Sequence, residues 1–100
     1  MIILVEVNFA EDALEYIKEK TDTITLLVEI SRGWGGAYKI PAVFAGKPEK
    51  AEAEDFEKQE ISGISVYVDK RNPINPDGLK VLLKGSTKFR RLVVDGFVLY

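Results

Sequence analysis

The spacing of apolar residues changes period once, near residue 22, and that change constrains the fold more than any other feature. Before it, Ala10, Ala13, Leu14 and Ile17 recur at i, i+3, i+4 and i+7, so residues 9–20 read as one amphipathic helix. Asn8 stands at the N-cap position with Glu11 three residues on, an Asn variant of the capping box. The β-rich stretch Ile2–Val7 precedes it as a first strand rather than a leader, since it lacks a basic start and a small-residue cleavage site. After the change the period is 2: in Ile24–Ile30, Leu26, Val28 and Ile30 share one face while Thr25, Leu27 and Glu29 take the other.

The remaining segments follow the same alternation. Ser31–Gly36 reads as a loop, with three glycines in six residues, and Tyr38–Phe44 as a strand that Pro41 confines to an edge or a bulge. Glu49–Glu60 is strongly polar and reads as a solvated linker. Ile64, Val66 and Val68 form a strand, and Asn72-Pro73 and Asn75-Pro76-Asp77-Gly78 form turns. Leu79, Val81 and Leu83 alternate with Lys80 and Lys84 as a half-buried strand. Asp95-Gly96 between Phe89–Val94 and Phe97–Tyr100 is a hairpin signal. The expectation is a single mostly-β domain over residues 1–100, borderline α+β: one N-terminal helix packed on a sandwich or barrel of about six to seven short strands.

Composition narrows the chemistry. Among 100 residues there is no cysteine and no histidine, so thiolate nucleophiles, disulfides, His-based triads and imidazole or thiolate metal sites are excluded. No metal and no cofactor are expected. Sixteen acidic against fourteen basic residues leave a net charge of −2, which exerts no general pull toward nucleic acid or anionic membrane. No apolar run approaches the roughly 20 residues of a bilayer span, so a cytoplasmic location is the expectation. Three Asn and one Gln beside ten Lys and ten Glu suit a thermophile.

The order strand, helix, strand, followed by Gly33-Trp34-Gly35-Gly36-Ala37-Tyr38, resembles the HesB/IscA-like (A-type iron–sulfur carrier) domain family. Gly63-Ile64-Ser65-Val66-Tyr67-Val68-Asp69 is similar to its Gly-Val-x-Val-x-Val-Asp strand. Asp77-Gly78-Leu79-Lys80-Val81 and Gly96-Phe97 resemble later segments of the same family. The resemblance implies a HesB-like sandwich and an origin related to iron–sulfur biogenesis. It also implies cysteine ligands, one in the glycine loop and a Cys-x-Cys pair near the C-terminus. Here the loop position is Trp34, which offers no metal ligand, and no Cys-x-Cys occurs. The ligand set is therefore not carried over.

Two surface features remain. Gly33, Trp34, Gly35, Gly36 and Tyr38 form either a contact for a small molecule or protein partner, or a tight turn whose indole caps the core. Lys84, Lys88, Arg90 and Arg91, with Phe89 interleaved, form either a small anion or nucleic-acid patch or a charged hairpin edge that discourages aggregation. The second reading of that patch is favoured, and nucleic acid is not the expected partner. The acidic stretch lacks the turn glycine of a calcium loop, and Glu29 alone makes no acid–base pair. The functional expectation is a non-enzymatic HesB-like binding module without a cluster. The alternative is a small-ligand protein or enzyme using the Gly33–Gly36 loop with Tyr38 or a nearby lysine. A homodimer is expected, because an edge strand and the apolar Phe97–Tyr100 segment call for cover.

Overall fold

A computed structural model describes residues 6–49, 54–86 and 88–98. The elements run β1 (Val7–Phe9), α1 (Glu11–Lys20), β2 (Thr23–Gly33), β3 (Gly36–Ala45), β4 (Phe56–Ile61), β5 (Ile64–Asp69), β6 (Leu79–Lys84) and β7 (Arg91–Asp95). The fold is mostly β, as the alternation requires. Two separate sheets form, ordered β1-β6-β7 and β3-β2-β5-β4, so the barrel alternative is not realised. One apolar cluster joins both sheets to the helix. Ala13 and Ile17 of α1 meet Ile24, Leu26, Val66, Val68, Leu79 and Val81, all of them fully buried. Among the described residues no helix is long and apolar enough to cross a membrane.

Several local signals lose to tertiary pairing. Asn8 is not an N-cap: β1 runs on to Phe9 because it pairs in parallel with β6, Asn8 opposite Lys80 and Phe9 opposite Val81. The helix starts later, after Ala10, with no side-chain cap; Ala10 N–H is held instead by the Val81 carbonyl at 3.0 Å. Of the expected first strand, residues 2–5 lie outside the described residues, and Glu6 is not in a strand. Of the expected linker Glu49–Glu60, residues 50–53 lie outside the described residues, and its second half is no linker. Phe56–Ile61 is an edge strand pairing antiparallel with β5, with Lys58 and Glu60 exposed and Phe56 buried.

The Asp95-Gly96 hairpin does not form either. Gly96 (φ +121°) turns the chain away from β7, so that Phe97 bridges Ile74 and Val98 N–H reaches the Pro73 carbonyl at 2.9 Å. Phe97 thereby enters the core and needs no second chain to cover it, whereas Leu99 and Tyr100 lie outside the described residues.

Strand β3 is an edge strand, as Pro41 demands. The pairing Gly33↔Gly36 closes the β2–β3 ladder, and Val28↔Pro41 falls at a position where neither residue donates to the other. Proline has no N–H to offer there, and the Val28 N–H points away from β3.

Candidate functional site

The inner half of β2 is paired on both sides, with β3 and, over Thr23–Leu26, with β5. Beyond Leu26 only β3 accompanies it, and the two strands continue outward as a two-stranded arm. Every residue from Glu29 to Ile40 is exposed. The glycine-rich segment is thus not a loop: Ser31–Gly33 and Gly36 belong to the strands, and only Trp34-Gly35 turns the chain. Gly35 takes φ +91° at the turn, where a side chain would be strained. The Tyr38 hydroxyl donates to the Trp34 carbonyl at 3.2 Å and ties the turn to the strand.

Trp34 does not cap the core. Its relative exposure is 101%, at the tip of the arm. Alternation along β3 places Tyr38, Ile40, Ala42 and Phe44 on one face, beside Leu27 of β2, with Tyr38, Ile40 and Phe44 roughly half exposed. Ile30, Arg32, Ala37 and Lys39 occupy the opposite face, Ile30 being 64% exposed. Near the turn the surface is a shallow hollow lined by Arg32, Gly33, Gly36 and Ala37, with one charged group and no acid–base pair. Glu29 stands exposed on the arm.

A buried carboxylate secures the root of the arm. Asp69 ends β5 and is fully buried. Its Oδ1 accepts the Arg71 backbone N–H and Nε–H, each at 2.9 Å, and its Oδ2 accepts from Arg71 Nη2 at 3.2 Å and Asn72 Nδ2 at 3.1 Å. The Val28 N–H, which points away from β3, also faces this carboxylate. Burial pushes the carboxyl pKa up, but the Arg71 hydrogen bonds and charge, with the Val28 N–H, outweigh this and hold it below the ordinary 3.8. The Arg71 guanidinium also lies 5.5 Å from the Phe56 ring centroid and 3.7 Å from Asp55.

The four expected basic residues divide. Lys84 and Arg91 face each other across β6–β7, and Lys88 and Phe89 sit exposed in the intervening turn. Arg90 lies over the Tyr16 ring at 5.4 Å, opposite α1, and Lys20 is also 5.4 Å from that ring. Tyr16 and Lys20 were not legible as site residues. Their i, i+4 spacing was a visible signal, but Arg90 is some 70 positions away in the chain. Among the described residues, no three Asp or Glu side chains gather as a cation site.

Fold and surface together define a two-sheet, mostly-β domain with one helix, a projecting apolar arm and no assembled acid–base or metal centre among the described residues. The chain belongs to the CC/Se motif containing family, which it matches over residues 5–97. The chain holds no cysteine, so any cysteine pair to which that description refers is missing here. No curated protein and no solved structure matches it.

Proposed function

We propose that the protein is a non-enzymatic interaction module, a HesB/IscA-like domain without cluster ligation, that grips a protein partner with its β2–β3 arm. The carrying observation is the unbroken exposure of residues 29–40 together with the apolar side chains they present, Ile30, Trp34, Tyr38 and Ile40. Apolar surface left in water forgoes about 25 cal/mol per Å², a gain that a partner with an apolar patch recovers on binding. Trp and Tyr are the residue types that dominate such contacts. The cluster-free reading is supported by the residues matching the HesB/IscA pattern and by the complete lack of thiol and imidazole.

The test places a photo-crosslinking amino acid at position 34, at position 40 and, as control, at Glu15 on the exposed side of α1, in cells that naturally contain the protein. A discrete adduct from positions 34 and 40, absent from position 15, is expected. An adduct at twice the 11.2 kDa chain mass identifies the partner as a second copy. No adduct from the arm, or the same pattern from all three positions, refutes the reading.

A further inference from the structure

At the other end of β3 from the turn lies a groove with a different chemistry. Ala45 is nine residues from Gly36, which is about 30 Å of extended chain. One wall is the last turn of α1, with Tyr16, Ile17, Lys20 and the adjoining Thr21. The other is the end of β3 and the start of β7, with Val43, Ala45, Arg91 and Leu92, while Ile24 closes the floor. The volume is about 380 Å³, at the small end of the roughly 300–1,000 Å³ that holds small organic ligands.

Its lining is divided. Half-buried Val43 and Leu92 form an apolar bed over the fully buried Ile17 and Ile24. The rim carries Lys20 and Arg91, and Arg90, beside the groove rather than in its lining, lies 5.4 Å from the centroid of the Tyr16 ring, as does Lys20. Among the described residues, none of these three cations has a carboxylate within 4.0 Å. Like charges gathered without counter-charge repel one another, and an anion among them turns that repulsion into attraction. A purely polar anion would leave the apolar bed in water, and a neutral hydrocarbon would leave the cations unanswered.

We infer that this groove binds a small amphiphilic anion, with a carboxylate head among Lys20, Arg90 and Arg91 and an alkyl body lying along the half-buried Val43 and Leu92. The Tyr16 ring positions two of the cations through cation–π contact, which leaves their N–H groups free to donate to the head. The site does not depend on the arm, so the two readings fail separately.

The experiment titrates the full chain with decanoate and follows backbone amide NMR shifts, with acetate and decylamine as controls and phosphatidylglycerol vesicles as a membrane arm. Saturable decanoate binding, with shifts centred on Thr21, Ala45 and Leu92, is expected, and acetate produces none. Decylamine, or decanoate added to Lys20→Gln or Arg91→Gln, binds at least about tenfold more weakly. Both substitutions are at exposed positions, and unchanged melting curves verify that the fold is intact. Trp34→Ala keeps full decanoate affinity. Equal binding of decanoate and decylamine, shifts centred on the arm, or attachment to vesicles without binding of monomeric decanoate overturns the inference.

Discussion

Replacing Asp69 by Asn keeps the side-chain shape and removes the charge that holds the root of the arm. An amide with its oxygen toward the Arg71 N–H and Nε–H still offers Oδ1, now as a neutral acceptor. In place of Oδ2 it presents an NH2 group to Arg71 Nη2 and Asn72 Nδ2, donors facing donors. Hydrogen bonds to a charged group contribute roughly 1.5–3 kcal/mol each, so two lost bonds amount to about 3–6 kcal/mol before relaxation. Arg71 has a side chain 45% exposed and a second carboxylate, Asp55, at 3.7 Å, so it recovers part of that loss. The expected net destabilisation is about 2–3 kcal/mol, which in a domain of this size lowers Tm by about 8–24 °C. The pH dependence has a definite sign. Because the folded pKa lies below the ordinary 3.8, the stabilisation is fully present above that value and disappears as pH falls through the folded pKa. Circular-dichroism melts of both proteins between pH 7 and pH 2.5 therefore show a constant gap at neutral pH that closes on acidification. A neutral-pH gap under about 1 kcal/mol, or one that persists undiminished at the acid end, refutes the reasoning.

Leu26, fully buried between the sheets, loses about 2–5 kcal/mol on substitution by Ala, read from urea unfolding midpoints at constant m. Gly96→Ala places a Cβ against the Gly78 carbonyl oxygen at φ +121° and costs at least about 2 kcal/mol, whereas Gly33→Ala meets nothing within 4 Å and stays within about 0.5 kcal/mol of the parent; parallel thermal melts compare the two. Trp34→Ala changes stability by less than about 0.5 kcal/mol, because the indole touches no core residue, and the same melts check it. Anaerobic incubation with ferrous iron and sulfide, followed by desalting, leaves no visible absorbance on the protein; a stoichiometric cluster would overturn the cluster-free reading.

What the chain made readable was periodicity. Leu79, Val81 and Leu83 announce β6 because one face is buried and the other wet, and the helix around Ala13 and Ile17 is plain for the same reason. Phe56–Ile61 escaped because an edge strand with a single buried side chain has almost no apolar signal: Glu57, Lys58 and Glu60 look like any solvated run. Asn8 and Asp95-Gly96 carried real local preferences that lost to partners far along the chain, β6 in one case and Ile74 in the other. The glycines of the arm were visible, but not that Trp34 stands in water, since turn chemistry is the same whether the turn is covered or bare. Asp69 with Val28, and Tyr16 with Arg90, depend on contacts between segments 41 and 74 residues apart, beyond any spacing rule.

The parallel pairing of β1 with β6 also sets an order in time. Val7 and its partner Leu79 are separated by 72 residues, while the two strands of the arm are joined by a turn of two. At roughly 5–20 residues per second on the ribosome, β1 waits about 4–14 s before its hydrogen-bonding partner has been synthesised. The arm can close as soon as Ala45 is available, because its loop is short and carries little closure entropy. The arm, whose residues 29–40 are all exposed, therefore takes shape before β1 is paired. Strand β1, made 72 residues ahead of its partner β6, is completed long after the arm.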